Sequence, residues 1–256
     1  MILAPLRVPK VVPGCNLSAV IIEALESRSF VLRTKDVLAV PSKVASSCEG
    51  RIAKLSKVVV SDRAERLANK WRMNEELTQL VLDEADEVLG GVRGFLLTIK
   101  DGILTANAGI DLKNSPIGTA TLWPTNPDRS AREVRKSLEV RYRKRIGVLI
   151  VDSRVTPLRL GTIGLAIGAS GLIPIKDDRG RLDLYGRKVK VTQTNIIDDL
   201  ASAAHLLMGE VKEQIGAVII RDAPVHLSDR PASRQARLSA DRCLMSSNLS
   251  APINRS

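Results

Sequence analysis

Short apolar runs of strand length alternate with segments of helical periodicity along this 256-residue sequence. The clearest run, Ile146 to Val151, is rich in β-branched residues and is followed directly by Asp152 and Ser153. This pattern is typical of a buried strand that presents polar residues at its carboxyl end, where α/β sheets commonly bind ligands. The alternation predicts an α/β fold with mixed, largely antiparallel sheets and helices packed outside them.

Two other apolar runs are followed by small and polar residues in the same way. Asp36 to Val40 is a predicted strand that leads into a polar loop over residues 41–51. Phe95 to Ile99 and Ile103 to Ala106 flank an Asp-Gly turn, which predicts a hairpin whose second strand runs into Asp111. The candidate chemistry is therefore expected at three strand ends.

Several further segments have the periodicity or composition of regular elements. Ser61 to Trp71, Asn74 to Leu89 and Asp198 to Met208 are predicted helices, and Lys188 to Thr194 and Ala217 to Ile220 are predicted strands. After these elements the chain becomes rich in Ser, Arg and Pro. We therefore expect a globular domain over residues 1–222 and a basic, partly mobile tail over residues 223–256.

Positive charge is concentrated in one segment, Arg129 to Arg145, which holds eight basic and two acidic residues. Val134 and Leu138 belong to an apolar series that recurs every four positions, and Ser130 with Glu133 has the spacing of a capping box. An amphipathic helix is predicted. Its basic face has two interpretations, a solvated surface or a site for an anionic ligand or partner.

The composition limits the classes of function. A net charge of +11 is compatible with nucleic-acid binding, but the six aromatic residues are scattered and no zinc-finger pattern occurs. The sequence has no GxxxxGK[ST] loop, which excludes a standard P-loop, and no GxGxxG motif after the first strand. Since only His205 and His226 are present, we expect carboxylates, hydroxyls, amides and metal ions to carry any chemistry.

Membrane insertion and secretion are not expected. No apolar stretch reaches the roughly 18 residues of a membrane span, and the N-terminus lacks a signal-peptide pattern. The three cysteines, Cys15, Cys48 and Cys243, are far apart and form no CxxC pair, which predicts a reducing cytosol without disulfides or a thiolate zinc site. A cytoplasmic location follows.

Four regularly spaced glycines follow Arg159. They are Gly161, Gly164, Gly168 and Gly171. Close backbone packing is one explanation for the spacing, and a phosphate cradle is the other.

Asp111 and Asp152 are candidate metal ligands because each follows an apolar strand and precedes small or hydroxyl residues. Hard cations such as Mg²⁺ and Mn²⁺ bind carboxylate oxygens together with substrate phosphates. The pattern alone leaves a second interpretation open, since an aspartate at a strand end often begins a turn.

A series of short motifs resembles one protein family. The motifs are PSKVASSCEGR (41–51), NAGID (107–111) with Asn114, PTNPDRSA (124–131), IGVLIVDS (146–153), Arg159 with Gly161 before GLAIGASG (164–171), GRLDLYGR (180–187) and DDLASAAHLLMGE (198–210). In this order they resemble the coenzyme F-420-0:L-glutamate ligase (gamma-glutamyl ligase) family over about residues 5 to 220.

The resemblance implies GTP-dependent amide ligation. In that family GTP phosphorylates the terminal carboxylate of coenzyme F-420-0, and the amine of L-glutamate then displaces phosphate; a second, γ-linked glutamate can follow. A carboxylate is a poor acyl donor until it is phosphorylated, and Mg²⁺ or Mn²⁺ neutralises charge on the triphosphate. A monovalent cation such as K⁺ and an intertwined homodimer, with the active site in a groove between two lobes, are also implied.

The resemblance also assigns roles to individual residues. Asp111 and Asp152 match metal-binding aspartates, and Ser153 matches a metal-binding threonine. Arg159 matches a basic residue placed to meet phosphate or a substrate carboxylate, and we assign it a catalytic role. Nucleotide contacts are implied for Val8, Pro9, Lys10, Val11, Ser42, Lys43, Ser47, Asn114, Met208, Gly209 and Glu210.

Two positions depart from the family pattern. Ser47 stands where the family has a lysine expected to touch the nucleotide, and Asp152 is followed by Ser-Arg-Val-Thr-Pro instead of Thr-x-Gly-Arg. Two alternatives therefore stay open: a ligase of the same fold with another acceptor, and a non-catalytic protein that binds anionic ligands or nucleic acid. The basic segment lies between the two predicted metal-site strands, which favours attraction of a triphosphate and a polyanionic precursor over nucleic acid.

Overall fold

The computed structural model describes residues 1–9, 11–230, 232–239 and 242–243. Two compact units divide the chain: Met1–Gly50, Pro124–Thr156 and Gly161–Ala236 form the first, and Arg51–Trp123, Pro157–Leu160 and Arg237–Ser256 form the second. The helices of the described residues are α1 (Leu17–Glu26), α2 (Ser42–Cys48), α3 (Asp62–Trp71), α4 (Glu75–Glu84), α5 (Pro127–Tyr142) and α6 (Ile196–Met208). The strands are β1 (Ile2–Arg7), β2 (Val37–Pro41), β3 (Ile52–Lys54), β4 (Glu87–Val92), β5 (Phe95–Lys100), β6 (Ile103–Ala106), β7 (Thr119–Thr121), β8 (Gly147–Val155), β9 (Thr162–Ser170), β10 (Ile175–Asp177), β11 (Gln193–Asn195) and β12 (Ile215–Arg221).

The first unit is built on a five-stranded sheet in the order β1-β12-β2-β8-β9. Only β2 and β8 pair in parallel in this sheet; the other neighbours are antiparallel. A separate antiparallel pair, β10 with β11, completes the strands of this unit. The predicted mixed, largely antiparallel α/β fold is confirmed.

Side-chain alternation gives the five-stranded sheet two different faces. Leu149 and Val151 of β8 point to the side covered by α6, where they pack in one apolar cluster with Ala201. Val148 and Ile150 take the alternate positions and are also fully buried, on the side that carries α1, α2 and α5. We call these two sides the α6 face and the α5 face.

Two glycines of β9 allow helices to approach both faces. A Cβ atom at Gly164 would lie 2.3 Å from the carbonyl oxygen of Ala201 in α6. A Cβ atom at Gly168 would lie 2.4 Å from the carbonyl carbon of Pro127 in α5. The close-packing explanation of the glycine spacing is confirmed at these two positions.

The amphipathic helix predicted in the basic segment is confirmed as α5, but its start was predicted wrongly. Asn126 is the N-cap, and its side-chain oxygen accepts a hydrogen bond from the backbone N–H of Arg129 at 2.9 Å. Pro127 occupies the first turn, where its missing N–H costs no helical hydrogen bond. Ser130 lies one turn inside the helix and is therefore not the cap.

The segment that follows β2 also differs from the prediction. Residues 42–48 form helix α2 and not a polar loop. Asp152 and Ser153 do not follow a strand end, because β8 continues to Val155 by pairing with β9. Sequence alone missed the extension of β8 because its last residues pair with β9, whose contribution is not visible in the local pattern.

Two other element boundaries were wrong. The helix predicted over residues 74–89 ends at Glu84, because residues 87–92 form β4 and pair with β5. The strand predicted over residues 188–194 is reduced to Gln193–Asn195, the part that pairs with β10.

The cysteine prediction was wrong as well. Cys15 and Cys48 form a disulfide across a sequence separation of 33 residues, with their Cα atoms 4.4 Å apart. Cys15 lies just before α1 and Cys48 ends α2, and a backbone hydrogen bond from Gly14 to Ser47 joins the same two segments. The cysteine count therefore gives no argument for a reducing compartment.

The second unit contains a three-stranded antiparallel sheet, β4-β5-β6, and the antiparallel pair β3-β7. The predicted hairpin is confirmed as β5 and β6. Helix α3 begins after Ser61, whose hydroxyl caps it by accepting from the N–H of Ala64. Leu80, Val81 and Leu96 lie in the apolar core of this unit.

Part of the predicted tail packs on the first unit. Val225, Ala232 and Ser233 are buried. Residues 231, 240, 241 and 244–256 lie outside the described residues, so the predicted mobility there and the boundary at residue 222 stay predictions. None of the helices in the described part is both long and apolar enough to cross a membrane.

Candidate functional site

Asp152 and Ser42 form the centre of the candidate site in the first unit. The parallel register of β2 and β8 places Pro41 opposite Val151, and this brings Ser42, the first residue of α2, close to Asp152. Ser42 Oγ donates a hydrogen bond to Asp152 Oδ1 at 2.9 Å, and Ser42 is buried. Alternation along β8 puts Asp152 on the α5 face, beside the start of α2. A metal-ligand candidate and a nucleotide-contact candidate are thus brought together.

Ser153 does not share that environment. It is paired with Gly164 of β9, and a Cβ atom at Gly164 would point toward α6. Neighbouring residues of a strand point to opposite faces, so the side chains of Asp152 and Ser153 diverge. The predicted role of Ser153 as a metal ligand stays a prediction.

The predicted nucleotide contacts of the first unit fall on two connected segments. Lys43 and Ser47 lie in α2, and the carbonyl of Ser47 accepts the hydrogen bond from Gly14. Val8 is half-buried and packs over Gly216, whereas Pro9 is exposed and Val11 is half-buried. Lys10 lies outside the described residues.

The end of α6 holds three more predicted contacts. Met208 is buried in the apolar cluster of the α6 face, and Gly209 terminates the helix with a φ of 70°. Glu210 Oε1 lies 2.9 Å from Nε2 of His205, one turn back. His205 is therefore a rim histidine whose Nε2 has a hydrogen-bond partner.

In the second unit, Asp111 lies in a tight polar loop. Its backbone exchanges both hydrogen bonds with Thr121, and its Oδ1 accepts from the N–H of Lys113 at 2.7 Å. Asn114 adopts a left-handed φ of 56° in the same loop. The carboxylate thus begins a turn, which was one of the two interpretations, while metal binding stays a prediction.

Arg159 lies in the same unit, in a segment between β8 and β9, and its side chain is exposed. The catalytic role assigned to it is untested by the geometry.

Glu49 is a residue that sequence reasoning did not single out as functional. Its Oε1 accepts from Ser130 Oγ at 2.6 Å and its Oε2 accepts from the N–H of Thr125 at 2.9 Å. The carboxylate therefore fixes the start of α5 to the end of α2. Its place in the motif SSCEGR was the available signal.

The arginine of the same motif has a different set of partners, in the second unit. Arg51 donates two hydrogen bonds to Glu84, at 2.7 Å each, and one to the carbonyl of Trp123. Lys100 Nζ also donates to Glu84, at 2.6 Å. Burial raises the pKa of Glu84, but the hydrogen bonds and charges of Lys100 and Arg51 outweigh it, so that the pKa lies below its ordinary value. This cluster stabilises the unit.

Asp198 is a half-buried carboxylate at the start of α6. Its Oδ1 accepts from the N–H of Ala166 at 3.0 Å and its Oδ2 accepts from Asn195 at 2.6 Å. Ala166 lies at the bulge where the register of β8 and β9 shifts. Burial raises the pKa of Asp198 above its ordinary value despite these hydrogen bonds.

Much of the charge on α5 is paired within the first unit. Arg129 pairs with Glu133, Arg141 pairs with Glu26, and Arg135 pairs with Asp229. Paired cations contribute less to a long-range field than isolated ones. The observation weakens the interpretation of α5 as a nucleic-acid surface.

The residues described by the structure hold no group of three or more His, Cys, Asp and Glu side chains that could bind a metal ion. A divalent cation would therefore need hydroxyl, backbone or substrate oxygens in addition to carboxylates. Asp152 with Ser42, and Asp111 separately, supply oxygen donors of the kind that Mg²⁺ and Mn²⁺ prefer. The residue chemistry fits a hard cation.

Comparison with known proteins decides the family. The model of the F420-0:Gamma-glutamyl ligase family matches residues 5–222. The chain belongs to this family. The resemblance drawn from the ordered motifs is thereby confirmed.

Three relatives with the name coenzyme F420:L-glutamate ligase illustrate the similarity. The protein of Methanopyrus kandleri is 38% identical over 229 residues, which cover 89% of each chain. The protein of Archaeoglobus fulgidus is 42% identical over 186 residues, covering 73% of this chain and 75% of the relative. That of Methanosarcina mazei is 31% identical over 246 residues, covering 93% and 95%.

Proposed function

We propose that this chain ligates L-glutamate to coenzyme F-420-0 at the expense of GTP, through an acyl phosphate and with Mg²⁺ or Mn²⁺. Family membership over residues 5–222 supports the reaction class. The observation that carries the assignment to a site is the hydrogen bond between Ser42 and Asp152, two residues that the family resemblance had assigned to nucleotide and metal.

The proposed chemistry needs an activated carboxylate. Transfer of the γ-phosphoryl group of GTP to the terminal carboxylate of the precursor gives a good leaving group, which the glutamate amine then displaces as phosphate. The divalent ion would neutralise negative charge on the triphosphate and the acceptor carboxylate. The same cycle on the new γ-carboxylate would add a second glutamate.

The residues of the first unit contribute position and charge. Ser42 holds the Asp152 carboxylate in one orientation by donating to Oδ1. The disulfide between Cys15 and Cys48 ties together the two segments that contain the proposed nucleotide contacts. In the second unit, Asp111 has a carboxylate fixed by the N–H of Lys113, and we propose it as a metal ligand.

The test is a reaction of the purified full chain with GTP, MnCl₂ or MgCl₂, L-glutamate and coenzyme F-420-0. We expect one GDP released for each glutamate mass added to the coenzyme. Reactions with EDTA or with D-glutamate are the controls, and both are expected to give no product. The proposal would be overturned if no product formed in any of the four reactions that combine GTP or ATP with Mg²⁺ or Mn²⁺.

A second candidate is the same ligation with a different carboxylate acceptor. It is favoured by Ser47, which replaces a family lysine and leaves α2 without a second cation after Lys43. Acceptor profiling by mass spectrometry separates the candidates: GDP formed with another acceptor, but not with coenzyme F-420-0, identifies the second one.

A further inference from the structure

A polar cavity of about 330 Å³ opens on the α5 face, and none of its lining residues belongs to the proposed metal or nucleotide contacts. It lies between α5, the end of β9 and the segment that follows β12. Four basic side chains line it, Arg132, Arg135, Lys136 and Arg230. Its volume is at the lower end of the range for small-molecule pockets.

Two carboxylates also line the cavity, and both have partners of their own. Asp128 accepts from the N–H of Ala169 at 2.9 Å and from Ser233 Oγ at 2.6 Å. Asp229 accepts from Arg135 at 2.7 Å and from Arg145 at 3.0 Å. Since four basic side chains and only these two carboxylates line the cavity, the lining has an excess of positive charge.

Arg135 distinguishes the cavity from an ordinary basic surface. Its side chain is 9% exposed, and among the described residues its buried Nε has no hydrogen-bond partner. Burying a guanidinium N–H without an acceptor is unfavourable, and a planar guanidinium fork matches the oxygens of carboxylate or phosphate. Asp229 holds Arg135 in the cavity lining, and Arg132 and Lys136 are exposed on the same helix within four residues of it, so the lining presents a cluster of cations suited to an oxyanion.

We propose that this cavity is a binding site for a small ligand with two or more anionic oxygen groups, either phosphates or carboxylates. Arg135 is the buried anchor, and Arg132, Lys136 and Arg230 contribute charge at the rim. The proposal does not rest on the ligase activity, because none of these residues belongs to the proposed metal or nucleotide contacts. It also selects between the two interpretations of the basic helix, in favour of an anion site.

The test is isothermal titration calorimetry of the full chain at constant ionic strength, after metal ions have been removed on a chelating resin. Inorganic pyrophosphate is the phosphate probe, citrate is the carboxylate probe, and chloride is the reference. Without metal ions, metal-dependent nucleotide binding does not contribute to the signal. We expect at least one probe to bind with a stoichiometry of one, and the tighter probe identifies the anionic group.

Charge-matched variants locate the binding. The double variant Arg132→Gln/Lys136→Gln changes two exposed side chains, and we expect its affinity to fall at least tenfold. The double variant Arg129→Gln/Arg141→Gln removes the same charge from α5 outside the cavity, and we expect wild-type affinity within about twofold. Arg132→Lys/Lys136→Arg is expected to retain binding.

Two results would overturn the proposal. One is the absence of binding of both probes above the chloride reference. The other is an equal loss of affinity in the two Gln double variants, since this would indicate a diffuse field and not a site. Neither result bears on glutamate ligation, which is measured separately by product mass.

Discussion

The two faces of the five-stranded sheet use the same strands for different purposes. On the α6 face, small and aliphatic side chains such as Ala166, Ala201 and Ala204 pack into one apolar cluster. On the α5 face, Ser42, Asp152 and Glu49 form hydrogen bonds at the edge of an apolar layer. The difference follows from the period of two along a strand, which sends adjacent residues to opposite environments.

The two faces differ in how much it costs to place a carboxylate on them. A carboxylate on the α6 face must be desolvated. Burial raises the pKa of Asp198, and its carboxylate accepts hydrogen bonds from the backbone N–H of Ala166 and the side-chain amide of Asn195. A carboxylate on the α5 face can be held by a hydroxyl and still meet a ligand. We therefore propose ligand chemistry at Asp152 on the α5 face, whereas the predicted contacts at Ser153 and Met208 lie on the α6 face.

The largest expected effect is on activity at Asp152. Asp152→Asn keeps the size of the side chain but removes its charge, so we expect glutamate ligation to fall by at least about 10³-fold, as for a lost metal ligand. The melting temperature should change little. Asp199→Asn, at an exposed position of α6, removes the same charge elsewhere and should retain activity. Activity of Asp152→Asn within tenfold of the wild type would break the assignment.

Loss of the disulfide should have the next largest effect, on stability. Closing a loop of 33 residues restricts the unfolded chain by about 3–4 kcal/mol in the chain-entropy estimate. We expect the free energy of unfolding of Cys15→Ser, measured in urea, to fall by about this amount. Cys243→Ser, outside the disulfide, should match the wild type. Equal stability of Cys15→Ser and the wild type would show that the bond contributes nothing.

Close approach of α6 to the sheet gives a smaller effect. Gly164→Ala places a Cβ against the Ala201 carbonyl, so the helix or the strand must shift, and we expect a loss of about 2–3 kcal/mol. Thr162→Ala, two residues earlier and exposed, is the control on the same strand. If thermal denaturation showed the same stability for both variants, the packing of the α6 face would have been misjudged.

The smallest expected effect concerns Asp198 and pH. Its folded pKa lies above the ordinary value of 3.8, so the stability that it contributes is fully present below pH 3.8 and is lost as pH rises through the folded pKa. Asp198→Asn cannot ionise. The stability of the wild type relative to this variant should therefore fall with rising pH in urea titrations, and a difference that rises with pH would contradict the direction.

Local signals in the sequence predicted part of this structure. The Asp-Gly turn predicted the β5-β6 hairpin, and the pattern of residues 61–71 predicted α3. The ordered motifs gave the family. These features depend on residues close together in the chain or on an ordered pattern, so they needed no knowledge of tertiary contacts.

The remaining features depend on contacts between distant residues. β8 extends to Val155 because β9 supplies a partner, and Cys15 reaches Cys48 because α2 folds back beside the N-terminal segment. The sequence placed Asp152 and Ser153 together, but strand alternation separates their side chains. The cavity around Arg135 also needs Asp229, which lies 94 residues further along the chain.

Metal binding in the presence of GDP tests the central claim most directly, because it requires no turnover. Free Mn²⁺ is measured by electron paramagnetic resonance in titrations of the wild type, Asp152→Asn and Asp199→Asn. We predict that the wild type and Asp199→Asn bind Mn²⁺ with equal affinity and that Asp152→Asn binds it at least about tenfold more weakly. Wild-type affinity in Asp152→Asn would contradict the assignment of ligand chemistry to the α5 face.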